Sequence, residues 1–338
     1  MMKIPSLYDD QELERYLRIQ QDKAWDLEKD FPWAGGIDLK KPFAALDKQA
    51  IFFPQASYQQ RVMISQYLGL VVASIISEFE VILTRLKKAA WDIPSKKYPV
   101  NPELLALGEE FFVQEHKHSQ AFERFIRIFA EEVNVSYEEL LSTLPRFNYQ
   151  YLDALYSVNA MFGGMGVWWM VAAVEEMSIL IYLDLRKHQD ELDPLYLTLH
   201  RRHFEEEARH ASFAFLMLEL LHGRNQKLHS RLLKKTDFMV NELVSINWLL
   251  GETVTCLPNI LRLRKRHPFF RDLSRLFPLI MQHNPMQMVK DIFTTAPYVS
   301  LLMNPADYPQ VSKSLKKHGV FNLFQNRRQT NELVSIFE

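Results

Sequence analysis

The chain has 338 residues, of which 48% are apolar, enough to fill a sizeable core in one large domain or two smaller ones. Forty lysines and arginines against forty-one aspartates and glutamates leave it almost neutral, which argues against a polyanionic partner such as nucleic acid. The single cysteine, Cys256, excludes an intrachain disulfide and a cysteine-rich metal site and fits a reducing compartment.

The N-terminal segment is too charged for a signal peptide. No apolar run reaches the roughly 18–20 residues of a membrane span, because Glu78, Glu80 and Glu175 interrupt the closest ones. The expectation is a cytoplasmic protein that does not enter a membrane. Ten glycines and long stretches of Leu, Met, Ala, Glu, Lys and Arg in helical periodicity predict an all-α chain. Helices are expected near 58–90, 102–132, 147–187, 194–223 and 227–250, with Pro94, Pro102, Pro145 and Pro194 at their limits and "MFGGMG" (161–166) bending the third. The first four make a four-helix core within 56–250, with a helical extension over 1–55 and a helical region over 251–338 packed upon it.

Taken in chain order, each long segment carries carboxylates where its pattern should be apolar. The first, "VVASIISEFEVIL" (71–83), holds Glu78 and Glu80. An unpaired anion buried there would cost several kcal/mol, so it needs a cation or a proton. The second, "EEFFVQEHKHS" (109–119), contains Glu115 and His118, a Glu-x-x-His pair on one helical face. The third, "WWMVAAVEEMSILIYL" (168–183), buries Glu175 or Glu176. The fourth, "HFEEEARH" (203–210), places His203, Glu207 and His210 on one face.

Each element alone reads most simply as a solvated helix face. The order Glu, Glu-x-x-His, Glu, Glu-x-x-His on four successive helices is different, because it resembles the ligand pattern of ferritin-like carboxylate-bridged dimetal proteins. Four carboxylates neutralise two divalent ions and can bridge them, while neutral imidazoles add donors without charge. Oxygen and nitrogen donors without thiolate suit iron, with manganese as the alternative.

The additional histidine one turn before Glu207 makes the chain resemble the para-aminobenzoate N-oxygenase-like di-iron oxygenases, whose fourth core helix carries His-x-x-x-Glu-x-x-His. "HFEEEARH" matches that motif, "VQEHKH" (113–118) the second-helix Glu-x-x-His, "QRVMISQYLGLVVASIISE" (60–78) the first helix and "AVEE" (173–176) the third. The resemblance implies metal ligands Glu78, Glu115, His118, Glu176, His203, Glu207 and His210. Glu78 follows from the register of the preceding helix, whereas Glu80 would preserve the spacing to Glu115; Glu175 competes with Glu176 in the same way. Glu205, Glu206, His116 and His200 are expected to face away from the metals, in solvent.

The same resemblance implies two iron ions that use O₂ to oxygenate a small substrate, most simply an amine nitrogen. Oxidation at carbon, or a ferroxidase role, is the alternative. Positions that anchor a polar substrate in the family's arylamine oxygenase are Leu70 and Leu180 here, which argues against an aminobenzoate. Trp168, Trp169, Phe162, Met165 and Met170 are either core or an apolar pocket wall. The chain lacks a flavin or nicotinamide fingerprint, so electrons are expected from a separate reductase, ferredoxin or small reductant. A homodimer is a compatible assembly.

Overall fold

The computed structural model describes residues 10–47, 55–97, 100–146, 165–224, 255–256, 258–276, 278 and 308–317. Among the described residues there is no strand, and the elements run α1 (Asp10–Asp22), α2 (Tyr58–Lys87), α3 (Ile93–Lys97), α4 (Pro102–Glu132), α5 (Tyr137–Leu141), α6 (Met165–Leu185), α7 (Pro194–Arg224), α8 (Pro268–Ser274) and α9 (Pro309–Lys317). The long helices α2, α4, α6 and α7 pack as two pairs, α2 along α4 and α6 along α7, joined where α4 meets α7. The architecture is an all-α, ferritin-like four-helix bundle with added helices; α1 lies on α4 and α9 on α6. The helix expected over 227–250, the start of the one expected from 147, and Phe162 lie outside the described residues.

Local chemistry sets the helix starts. Ser57 caps α2: its hydroxyl accepts from the Gln60 amide at 3.3 Å, and the Gln60 side chain accepts from the Ser57 amide at 2.8 Å. Asn101 accepts from Leu104 N at 3.0 Å ahead of Pro102. Asp193 accepts from Tyr196 N at 2.8 Å ahead of Pro194, and its second oxygen takes Asp38 N at 2.8 Å, tying the N-terminal segment to the start of α7. The helix expected to reach residue 90 instead leaves α-helical register at Lys87 and passes through a π-helical turn, Lys88–Asp92. That turn buries Trp91 against Gly108 of α4, where a β-carbon would collide with the indole.

By length and mean hydropathy, 1.7 over its most apolar window, α2 could cross a membrane. Its two glutamates do not lower the average enough to exclude it, contrary to the expectation from sequence. However, 56% of that window is buried inside the bundle, as in the core helix of a soluble protein. Apolar side chains gather into two clusters. One is built around Trp91, Phe111, Trp168 and Phe213, the other around Phe43, Phe122, Phe125 and Phe129. Phe111 contacts the His210 ring at 4.8 Å and Phe122 the His203 ring at 4.9 Å, so the polar residues of the bundle interior lie between the two apolar clusters.

Candidate metal centre

Residues three and four apart on a helix share a face because each residue advances about 100°. Glu115 and His118 on α4, and His203, Glu207 and His210 on α7, use this spacing to converge in the bundle interior, all at most 2% exposed. His118 Nδ1 lies 2.9 Å from Glu207 Oε1 and 3.7 Å from Glu115 Oε2. His210 Nδ1 lies 2.9 Å from Glu115 Oε1 and 3.2 Å from Glu207 Oε2. His203 Nε2 lies 2.6 Å from Glu207 Oε1 and 3.3 Å from Glu80 Oε1. The potential ligand atoms form two overlapping groups, Glu80–His118–His203–Glu207 and Glu115–His118–Glu207–His210, each with its atoms within 4.8 Å of one another.

The structure brings Glu80, not Glu78, into this cluster. On α2 the inward stripe runs Leu70, Ala73, Ile76, Glu80, Leu83, each at most 1% exposed and spaced by three or four residues. Glu78 lies about 200° around the helix from Glu80. Arg146 Nε donates to it at 3.2 Å. On α6, fully buried Glu175 interacts electrostatically with Glu80, Glu115 and Glu207. Glu176, about 100° away, accepts from Gln310 N and Val311 N, each at 2.9 Å. Its negative charge thereby caps the start of α9, where free backbone N–H groups favour an anion. Glu78 and Glu176 thus lie outside the two groups of converging ligand atoms.

Hydrogen bonds behind the cluster fix the imidazole tautomers. The side-chain amide of Gln114 donates to Glu110 at 3.0 Å, so its carbonyl oxygen faces His210 Nε2 at 2.9 Å and can only accept. His118 Nε2 meets the carboxylate of Glu206 at 2.7 Å and must also be the N–H. As neutral imidazoles both then turn the Nδ1 lone pair toward carboxylate oxygens; at His118 burial opposes charge, but Glu207 and Glu206 raise its value, so in the metal-free chain a proton on Nδ1 can bridge to Glu207. Neither Nδ1 atom, and none of the Glu115, Glu175 or Glu207 oxygens, has a hydrogen-bond donor as a carboxylate–imidazole set. Buried acceptors facing one another at about 3 Å repel unless a cation or proton lies between them.

Titration follows the same logic. Burial, then neighbouring Glu80 and Glu175, holds Glu115 well above the usual carboxylate range; burial and Glu207 do the same to Glu175, whose retained proton can donate a hydrogen bond to Glu207. Burial opposes charge on Glu207, but His203 and His210 outweigh it and keep the group well below that range. His203 is driven to about 10 because Glu207 and Glu80 overcome its desolvation. Burial dominates at His210 and pulls it below the usual imidazole value. Four carboxylates, Glu80, Glu115, Glu175 and Glu207, and three imidazoles match the charge and donor set of two divalent ions. The residues present fit a dimetal group.

Two residues expected in solvent are buried. Glu206 accepts from His118, from Lys117 Nζ at 2.7 Å and from Trp25 N at 3.1 Å; burial opposes its charge, but His118 and Lys117 hold it down to about 2. His200, 1% exposed, has no hydrogen-bond partner on either ring nitrogen and packs against Tyr196 and Phe122. Glu205 and His116 do reach toward solvent. The N-terminal segment also serves the cluster: Gln20 donates to Gln114 at 2.7 Å, and the Trp25 ring stacks on His118 at 5.5 Å. Its signal in the sequence was only an aromatic run, Trp25, Phe31 and Trp33, which gave no direction. Trp168 and Trp169 are core, and Trp168 packs on Phe111, which in turn contacts His210.

The fold and this cluster define a class: a helical bundle whose interior gathers buried carboxylates and imidazoles that could hold metal ions. Within it, the chain belongs to the P-aminobenzoate N-oxygenase AurF family, which it matches over residues 9–246. That span includes α1 and the Trp25 segment as well as the four long helices, and the family is one of oxygenases. No curated protein and no solved structure matches the chain.

Proposed function

We propose that this protein is a di-iron oxygenase that uses O₂ to oxygenate a small substrate, with an amine nitrogen as the site of attack. The observation that carries the reading is the set of buried lone-pair atoms turned on one another, on His118, His210, Glu115 and Glu207 above all. Glu80, Glu115, His118, Glu175, His203, Glu207 and His210 would hold the ions. Two bound iron ions would supply the electrons and Lewis acidity for reaction with O₂.

The chain's own residues do the rest. Gln114 and Glu206 hold His210 and His118 with Nδ1 forward, and the Phe111–Trp168–Phe213 layer excludes water on one side. Protons held by Glu115 and Glu175 in the metal-free form leave as the ions bind. The family positions that anchor a polar substrate fall on Leu70 and Leu180, or on Val72 and Ile179 if the register follows Glu80 and Glu175. Either way the wall is apolar, which favours a substrate without an aromatic carboxylate. Electrons would come from a separate donor, and the reaction belongs in the cytoplasm.

The test is anaerobic reconstitution with iron(II), metal analysis, then exposure to O₂ with a panel of amines and mass spectrometry of the products. Two iron ions per chain and an amine product heavier by oxygen are expected. One metal or fewer per chain overturns the dimetal reading, and oxygen found only on carbon overturns the choice of nitrogen.

A further inference from the structure

Gln114 and Glu206 occupy equivalent places, each directly before the glutamate of a Glu-x-x-His pair and each receiving the Nε2–H of the histidine on the other helix. Their chemistry differs. Behind His210 stands a neutral amide, pinned by Gln20 at 2.7 Å and by its own bond to Glu110 at 3.0 Å. Behind His118 stands a carboxylate, fixed by Lys117 Nζ at 2.7 Å and Trp25 N at 3.1 Å. The Trp25 ring covers His118 at 5.5 Å, with Lys117 Nζ 3.9 Å from that ring's centroid.

A carboxylate that accepts an imidazole N–H draws the proton toward itself and makes the opposite nitrogen a stronger donor; an amide carbonyl does so less. The ends of the cluster differ in donors as well. His118 belongs to both groups of ligand atoms, but its Nδ1 lies 2.9 Å from Glu207 Oε1, the oxygen that His203 Nε2 also faces at 2.6 Å, so these two imidazoles converge on the Glu80 end. The other end has His210 with Glu115 and Glu207, and His118 lies farther from Glu115, at 3.7 Å, than from Glu207, at 2.9 Å.

Resting on the dimetal reading above, we infer that Glu206 and Gln114 are positioning residues that make the two metal positions unequal, so that ions bind in two separate steps and the His118–His203 end fills first. Because Lys117 offsets the charge of Glu206, the effect runs through the hydrogen bond to His118 rather than through net charge. Glu206→Gln tests this, since the glutamine carbonyl still accepts from His118 and keeps its tautomer. The Lys117→Met/Glu206→Gln double variant removes both charges should the single variant fold poorly. Gln114→Glu would place a second carboxylate beside Glu110, so the reciprocal variant is Glu110→Gln/Gln114→Glu.

The experiment is anaerobic calorimetric titration of metal-free protein with iron(II), repeated with manganese(II), alongside circular dichroism to confirm the fold. Wild type should show two resolved steps. Glu206→Gln, or the double variant, should weaken the tighter step about 10- to 100-fold and leave the weaker one nearly unchanged. Glu110→Gln/Gln114→Glu should tighten the weaker step. Two equal steps in wild type, or equal weakening of both steps by Glu206→Gln, would overturn the inference, the latter marking Glu206 as structural support. Failure of wild type to bind either metal would instead overturn the dimetal reading, and this inference with it.

Discussion

His200→Leu isolates one buried ionisable group that touches no proposed ligand role. In the folded chain burial, with His203 adding to it, holds this imidazole down at about 3, and neither nitrogen has a hydrogen-bond partner. The same residue in the unfolded chain titrates near the ordinary value of about 6.5. A depressed folded value means that its contribution to stability is present above about pH 6.5 and is lost as pH falls toward the folded value, by about 1.4 kcal/mol per pH unit. At pH 5, about 1.5 units below the unfolded value, wild type should therefore have lost about 2 kcal/mol that the leucine variant keeps. Urea unfolding of metal-free wild type and variant at pH 8 and pH 5 measures this difference. The variant should gain on wild type by about 2 kcal/mol between the two conditions. An equal difference at both pH values would show that His200 takes up its proton in the folded state, and would refute the burial argument.

Glu80→Gln and Glu175→Gln should lower bound metal, by elemental analysis after reconstitution, more than Glu78→Gln and Glu176→Gln; the reverse ranking in either pair would return that ligand to its neighbour. Glu176→Gln should instead lower the melting temperature by loosening α9, because its carboxylate caps that helix. His203→Ala should still bind two ions, since six candidate ligands remain, yet lose most of its oxygenation; wild-type turnover in the folded variant would make His203 dispensable to the chemistry. Gly108→Ala should destabilise by about 1–3 kcal/mol in urea unfolding, as the added methyl meets the Trp91 ring. Unchanged stability would mean the π-helical turn shifts to accommodate it.

Much of the fold was legible because proline and capping residues coincide with helix starts. Asn101–Pro102 and Asp193–Pro194 begin α4 and α7 at the expected residues. The π-helical turn was not legible, since "KAAWD" is an ordinary helical composition and the departure arises from fitting Trp91 against Gly108 of another helix. The two Glu-x-x-His pairs and His203 could be read from spacing alone, because a three- or four-residue repeat fixes a common face.

The carboxylates on α2 and α6 show where such reasoning runs out and where it could have gone further. Two glutamates two residues apart cannot share a helix face, so aligning a motif to one or the other is a choice that the surrounding apolar residues already constrain. Leu70, Ala73, Ile76 and Leu83 define the buried stripe of α2, and Glu80 falls on it while Glu78 does not. Register inherited from a distant family motif misses this; periodicity within the chain does not. On α6 that test is weaker, because apolar residues surround both glutamates and both are buried. What separates Glu175 from Glu176 is the backbone of α9 arriving from more than 130 residues away, as the Gln310 and Val311 amides show. The same limit applies to Glu206: its helical face reads as solvated until the N-terminal segment brings Trp25 over it and α4 brings Lys117 and His118 against it. Local pattern therefore identifies residues that face into their own bundle, while those that support them from outside become visible only once distant segments are in place.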